Sequence, residues 1–192
     1  MPGFFSLPPP SVTLALGGLT TSYVFFSSVT DMNRGIIPLL NDRFGAVDID
    51  EKKKIEMWSI YFKRASVGHP PALSQSEEVA DRSWCQTGLV GGSVLSALLN
   101  FTTAYIHPSP LTRRITFISA VTSLLIVPIT FASGILPINN RLFEIAKGAE
   151  TTRDDEVKSL VKTWGEKHLL RMPAYTAAWV LSFFALVYDG RI

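Results

Sequence analysis

The sequence has few charged residues and a single cysteine. Asp, Glu, Lys and Arg make up 18% of the 192 residues, whereas soluble domains average about 25%. Cys85 alone cannot form an intrachain disulfide, which excludes a disulfide-stapled scaffold and an iron–sulfur cluster held by one chain. A net charge of +2 gives no support to nucleic-acid binding. With 47% hydrophobic residues, the composition predicts a membrane protein and excludes a disordered tail, a coiled coil and a collagen-like repeat.

Four stretches of the chain carry no charge. They cover residues 1–30, 84–111, 115–140 and 172–188. A transmembrane helix needs about 20 mostly apolar residues. We therefore predict four spans, at about residues 11–30, 85–106, 115–136 and 173–188. The last stretch is short, and it would cross as the continuation of an amphipathic helix bent near Pro173, since proline removes a backbone donor.

Two other interpretations of these stretches fit the sequence less well. A cleaved signal peptide would have a basic start and a small-residue cleavage site, and the first stretch has neither. A soluble helical protein would give each helix a charged face, which these runs lack. We therefore predict an all-α fold, a four-helix transmembrane bundle that forms a single integral membrane domain over residues 1–192.

Lys and Arg are concentrated in two segments. Residues 31–83 contain eight and residues 137–171 contain seven, whereas the turn at Arg113 and Arg114 contains two. With four spans, both basic segments lie on the same side of the membrane, and the positive-inside rule places that side in the cytosol. The second segment would then include a cytosolic extension of the last helix.

The first long loop is predicted to contain an additional amphipathic helix at residues 48–62. Its apolar residues recur at i+3 and i+4, so one face lies on the membrane surface or against the bundle. Trp58, Tyr61 and Arg64 form an aromatic and cationic group in this region. An interfacial aromatic anchor is the alternative role of Trp58.

The second predicted span carries a stripe of small and polar residues. Gly88, Gly92, Ser96 and Asn100 recur at i+4. Small residues let helix backbones approach closely in lipid, so the stripe predicts helix packing. Asn100 is either a packing residue or a pocket residue.

Polar residues also cluster where the third span is predicted to end. Pro137 is followed by Asn139, Asn140 and Arg141. Pro137 is expected to break the helix, and freed carbonyls near a membrane are tolerated only beside protein or water. We therefore expect these side chains to face an interior cavity. A helix cap with a snorkelling Arg141 is the alternative.

A second polar group precedes the last span. On a continuous helix, Trp164, His168, Arg171 and Tyr175 follow one another at steps of four, three and four, which places them on one stripe. Histidine exchanges a proton near neutral pH, and Arg or His near membrane depth is costly unless paired or functional. The alternative is a structural histidine.

No motif of a nucleotide site, a zinc protease or a serine hydrolase is found in the sequence. The three histidines lie far apart and have no accompanying carboxylate pattern, so no metal site is predicted. An enzyme with this sequence would use no cofactor that leaves a motif.

Three motifs together resemble the anthrone oxygenase-like family of small integral membrane proteins, which are frequent in fungal polyketide gene clusters. The motifs are Trp58-x-x-Tyr61-x-x-Arg64, Pro-Ile-Asn-Asn-Arg-Leu at residues 137–142, and Trp164-x-x-x-His168-x-x-Arg171. The resemblance implies oxidation of a tricyclic anthrone to an anthraquinone, with O2 as co-substrate and without flavin, haem or metal. It also implies an endomembrane location.

Under this resemblance we assign roles as a hypothesis. His168 would be the general base, and Arg171 and Arg141 would stabilise the enolate and the peroxide. The substrate-binding residues would be Asn139, Asn140, Trp164, Tyr175, Trp58, Tyr61 and Arg64.

Two alternatives stay open. One is an enzyme that acts on another aromatic polyketide, since an aromatic pocket rejects close analogues weakly. The other is a non-catalytic membrane scaffold or binding protein for pathway enzymes. Convergence of the charged residues on an enclosed apolar pocket would favour an enzyme.

Overall fold

The computed structural model describes residues 9–43, 45, 49–66, 87–148 and 154–189. These residues form helices and contain no strand, which confirms the predicted all-α fold. The helices are α1 (Pro9–Asn33), α2 (Ile36–Leu40), α3 (Glu51–Ser66), α4 (Thr87–Ile106), α5 (Pro110–Ala132), α6 (Ile135–Ala146), α7 (Asp154–Leu169) and α8 (Met172–Asp189).

Within the part of the chain that the structure describes, four segments are long and apolar enough to cross a bilayer. They are Pro9–Leu40, Leu89–Ile106, Pro110–Ala132 and Asp154–Asp189. Each predicted span overlaps one of them. Helix α3 is the amphipathic helix predicted in the first loop, and α7 is the predicted extension of the last helix.

The third span ends at a glycine and not at Pro137. Gly134 has a φ of 65°, a left-handed conformation that glycine adopts without a Cβ clash, and it separates α5 from α6. Pro137 lies in the first turn of α6, where backbone N–H groups have no partner within the helix. The prediction that Pro137 breaks the helix is therefore wrong, because proline fits that turn.

The last long apolar segment is interrupted, as expected, close to Pro173. The break lies at Leu170 and Arg171, between α7 and α8. Pro173 occupies the second position of α8, where its missing N–H again costs no helical hydrogen bond.

The chain divides into two compact units. Unit 1 comprises Met1–Ser28, Val90–Ile129 and Arg171–Ile192, and unit 2 comprises Val29–Leu89 and Thr130–Leu170. Unit 1 therefore contains most of α1, α4, α5 and α8. Unit 2 contains α2, α3, α6 and α7.

In unit 1 the helices meet through small and polar side chains. Ser119 of α5 donates to the carbonyl oxygen of Ala178 at 2.9 Å, and its Oγ lies 2.8 Å from that of Ser182 on α8. Ser182 also donates to Oδ1 of Asn100 on α4 at 3.3 Å. Gly17 of α1 lies so close that a Cβ there would be 3.2 Å from the same Oδ1. Asn100 thus joins a four-helix bundle, which confirms the predicted architecture.

Large apolar side chains of unit 1 point outward. Leu19 is 66% exposed and Val187 is 62% exposed, whereas Asn100 and Ser182 are fully buried. A soluble protein has the opposite distribution, and a helical bundle in lipid buries small residues at its contacts. The protein is therefore an integral membrane protein.

Unit 2 is held together by ion pairs and a close helix approach. Lys54 of α3 is buried and bonds to Asp42 at 2.9 Å and to Glu51 at 3.0 Å. Burial lowers the pKa of Lys54, but the two carboxylates outweigh it and raise that pKa above its ordinary value. Gly165 of α7 admits the side chain of Asn41, because a Cβ there would lie 2.9 Å from Nδ2.

Candidate functional site

Five aromatic rings from three helices of unit 2 form an aromatic cluster. The cluster consists of Trp58, Phe62, Phe143, Trp164 and His168. The Trp58 ring centroid lies 4.9 Å from that of Phe143 and 5.7 Å from that of Trp164. The two pairs Trp58–Phe62 and Trp164–His168 are each one turn apart on one helix face. The cluster thus connects α3, α6 and α7.

Asn139 fixes the indole of Trp164. Nε1 of Trp164 donates to Oδ1 of Asn139 at 2.8 Å, and both side chains are buried. A buried indole N–H needs such an acceptor. The bond sets the orientation of the ring against which His168 packs.

His168 lies against Trp164 with a defined orientation. The ring centroids are 4.1 Å apart at an interplanar angle of 44°, and Nδ1 of His168 is 3.3 Å from the backbone carbonyl oxygen of Trp164. Because a carbonyl oxygen only accepts, a hydrogen bond at this contact requires the tautomer with the proton on Nδ1. In that neutral tautomer the lone pair of the half-buried imidazole is on Nε2.

Tyr61 donates a hydrogen bond to the carboxylate of Asp31. Burial raises the pKa of Tyr61, and the negative partner raises it further. The phenol therefore stays protonated at neutral pH and acts as a donor. Sequence reasoning did not select Asp31, although it is the first charge after 30 uncharged residues, and an acid at the end of an apolar run is costly unless it is paired or functional.

Arg171 and Tyr175 belong to unit 1. Both are buried, and the hydroxyl of Tyr175 lies near Ser28 and Ser93 without a hydrogen-bond partner among the described residues. The break at Leu170 and Arg171 separates them from the helix that carries Trp164 and His168. This break, expected near Pro173, interrupts the helical repeat on which the predicted stripe depends.

The polar residues that follow Pro137 point in different directions. Asn139 is buried, as expected, but Asn140 is exposed. Arg141 is 3.0 Å from Glu156 and 3.6 Å from Glu144, with 35% of its side chain exposed. The hydrogen bond to Glu156 raises the pKa of Arg141. The expectation of an interior position therefore holds for Asn139 and not for Asn140 or Arg141.

The structure bears on whether Trp58 is an interfacial anchor. The side chain is fully buried inside the aromatic cluster, so it is not an exposed interfacial anchor. The side chain of Arg64, the third residue of that motif, lies outside the described residues.

A buried pair in unit 1 was missed by sequence reasoning. Nε2 of His107 is 3.1 Å from Oδ1 of Asp189, and these side chains are 0% and 4% exposed. Nδ1 of His107 accepts from the backbone N–H of Ser109 at 3.1 Å. The pairing of residues this far apart depends on the bundle, and a local motif could not reveal it.

The chain matches the anthrone oxygenase family over residues 82–181. The matched region includes Asn139, Trp164, His168 and Arg171 and extends into α8. No curated protein matches the chain, and no solved structure matches it. Because the family match covers more than half of the sequence, this protein belongs to the anthrone oxygenase family.

Proposed function

We propose that this protein oxidises an anthrone-type aromatic polyketide to a quinone with O2 and without a bound cofactor. Family membership supports an oxygenase activity. The observation that carries the rest of the proposal is the Trp164–His168 pair, in which a basic nitrogen is held beside a fixed aromatic ring.

The substrate supplies the reducing power in this proposal. An anthrone has a methylene group between two aromatic rings, opposite a ring carbonyl. Removal of one methylene proton gives a delocalised anion that transfers an electron to O2 directly. The protein then needs a base, a surface for a flat apolar molecule, and groups that stabilise negative oxygen.

His168 is the proposed base, and Nε2 takes the methylene proton. The carbanion gives one electron to O2, and the resulting radical and superoxide combine to form a C–O bond. Protonation of the peroxide by the imidazolium regenerates His168. Cleavage of the O–O bond with loss of the second methylene hydrogen releases one water and leaves the new carbonyl. The sum is one methylene group and one O2 converted to one carbonyl and one water.

The other residues have proposed supporting roles. Trp164 and Trp58 are buried, so they are proposed to contact the rings of the substrate after the cluster opens, and Asn139 positions Trp164. Tyr61 is proposed as a substrate-binding residue that contacts the substrate through its aromatic ring, because its hydroxyl proton is donated to Asp31. Arg171 is proposed to stabilise the enolate and the peroxide, because a buried guanidinium stabilises an oxyanion more than an exposed one does. Tyr175 is proposed as a substrate-binding residue. Asn140 and Arg141 have less support, because both are turned outward.

The test uses membranes that contain the full chain, a freshly reduced anthrone, O2, a metal chelator and no added flavin or nicotinamide. Quinone formation is compared with empty membranes and with air oxidation alone. General bases typically contribute about 10²- to 10⁴-fold. We expect His168→Ala to lose activity on this scale, and Glu166→Ala, an exposed change on the same helix, to leave it unchanged.

Addition of imidazole to the His168→Ala protein distinguishes a catalytic base from a histidine with only a structural role. It should restore part of the activity of His168→Ala, because it replaces the missing nitrogen. Wild-type activity in a folded and inserted His168→Ala protein would refute the assignment. If folded wild-type protein forms no quinone above the controls, another aromatic substrate or the scaffold role replaces the proposal.

The family also motivates a proposal about location. We propose an endomembrane site, where an apolar polyketide intermediate can be received from other pathway enzymes. Imaging of the tagged full chain tests it, and a plasma-membrane signal alone would contradict it.

A further inference from the structure

A groove lies beside the turn between α4 and α5, within unit 1. It has a volume of about 480 Å³ and is formed by Ala104, Pro110, Arg113, Arg114, Phe117 and Ile118. It lies where two segments apolar enough to span a membrane begin and end, Leu89–Ile106 and Pro110–Ala132. We therefore expect the groove to lie at the level where a bilayer changes from hydrocarbon to head groups.

Among the described residues of unit 1, no acidic side chain is left to pair with Arg113 and Arg114. The sequence of unit 1 contains one acidic residue, Asp189, and that carboxylate is committed to His107 at 3.1 Å in a buried pair. Arg113 and Arg114 are both exposed. The described side chains of unit 1 therefore leave the two cations without a neutralising anion.

The groove combines these charges with an apolar surface. Phe117 follows Arg113 by four residues and Ile118 follows Arg114 by four, so each cation stands one helical turn above an apolar side chain. Phe117 and Ile118 are each 52% exposed. Nε of Arg113 donates to the carbonyl oxygen of Ala104 at 2.9 Å, which holds this guanidinium over the end of α4. The remaining guanidinium N–H groups suit a phosphate.

We propose that this groove binds an anionic phospholipid. The phosphate would lie against Arg113 and Arg114, and an acyl chain would lie along Phe117 and Ile118. A phospholipid and a free phosphate both offer a phosphate anion to the arginines. The apolar side chains of Phe117 and Ile118, one helical turn away, favour the phospholipid.

The experiment is native mass spectrometry of the full chain in detergent. The probes are dioleoylphosphatidylglycerol, dioleoylphosphatidylcholine and glycerol phosphate, which has the anionic head group without acyl chains. We expect the phosphatidylglycerol to bind more tightly than the phosphatidylcholine, and glycerol phosphate to compete poorly.

Variants of the groove test the charges and the apolar wall separately. Arg114→Gln should weaken phosphatidylglycerol binding about fivefold, the effect of one cation near an anionic lipid, and Arg114→Lys should retain most of it. Arg114 is used first because the hydrogen bond of Arg113 to Ala104 also supports the fold. Ile118→Ser should weaken lipid binding, and Lys162→Gln on α7 is the matched control with no expected effect.

Three results would overturn the proposal. They are equal binding of the two phospholipids, unchanged phosphatidylglycerol binding by Arg114→Gln, and competition by glycerol phosphate as strong as that by the lipid. The last result would show an anion site that does not use the acyl chain. None of these results bears on quinone formation, so the lipid proposal and the oxygenase proposal fail separately.

Discussion

The hydrogen bond between Trp164 and Asn139 should be a measurable contribution to the stability of unit 2. Trp164→Phe keeps an aromatic ring in the cluster but removes the N–H that lies 2.8 Å from Oδ1 of Asn139. Asn139 is 3% exposed, so its oxygen loses this donor away from water. We expect a loss of about 1–3 kcal/mol in the free energy of unfolding. Asn139→Leu should cost a similar amount, because it leaves the indole N–H without this acceptor.

The double variant makes the prediction sharper. Once one partner is gone, removal of the other costs little, so Trp164→Phe with Asn139→Leu should be about as stable as either single variant. The resulting coupling energy should therefore equal the loss in either single variant, about 1–3 kcal/mol. The measurement is reversible unfolding of the full chain in bicelles for the four proteins of the cycle. Trp164→Phe combined with Lys162→Gln is the control, and those two changes should add, since Lys162 is exposed.

Additive losses for Trp164 and Asn139 would refute this reasoning. Such a result would mean that packing alone orients the indole and that Asn139 does not position it. The proposed role of Asn139 in the site would then have to be abandoned, whatever the activity of His168 variants.

Three further predictions concern other parts of the chain. The raised pKa of Tyr61 means that folding favours the protonated phenol, so this stabilisation is complete below the ordinary value of about 10 and is lost as pH rises above it; Tyr61→Phe should show a smaller alkaline fall in Tm than the wild type, with the rest coming from groups such as Lys54, and an identical fall would contradict the prediction. Arg141→Gln should change neither turnover nor Tm appreciably, because exposed ion pairs contribute little; a large loss of turnover with unchanged Tm would instead support a catalytic Arg141. Ser182→Ala removes the bonds to Ser119 and Asn100 and should cost about 0.6 kcal/mol, the average for hydrogen bonds between membrane helices; unfolding in bicelles measures it, and no loss would show that the remaining partners compensate.

The membrane architecture could be predicted because lipid imposes simple requirements on a sequence. A helix that crosses a bilayer needs a long run without charge, and four such runs are visible. The stripe that contains Ser96 and Asn100 likewise predicted a helix contact. Asn100 is fully buried and bonded to Ser182 of another helix, because helices in lipid associate through small and polar residues.

The end of the third span was harder to predict, because Gly134 and Pro137 lie close together and either could end a helix. Gly134 and Pro137 both interrupt helices, and the sequence does not show which one acts. The left-handed backbone of Gly134 ends α5, so that α6 begins one residue later and Pro137 falls in its first turn. Proline is well suited to that turn. Pro137, which was expected to end a helix, therefore lies near the beginning of one.

The candidate site could be predicted only where its residues share a helix. Trp164 and His168 are one turn apart, so their contact follows from the helical repeat. Asn139 lies 25 residues from Trp164, and Trp58 lies on another helix. Their contacts with Trp164 depend on how α3, α6 and α7 pack, which no local pattern encodes. The direction of Arg141 is equally a result of packing, because it depends on the position of Glu156.

The apolar outer surface of unit 1 affects the supply of reactants. Dioxygen and a flat tricyclic molecule both dissolve better in hydrocarbon than in water, so the bilayer around Leu19 and Val187 is a reservoir for both. Partitioning raises their local concentrations above those in the cytosol. For the proposed oxidation, the membrane is therefore a solvent that favours the reaction as well as an anchor for the protein.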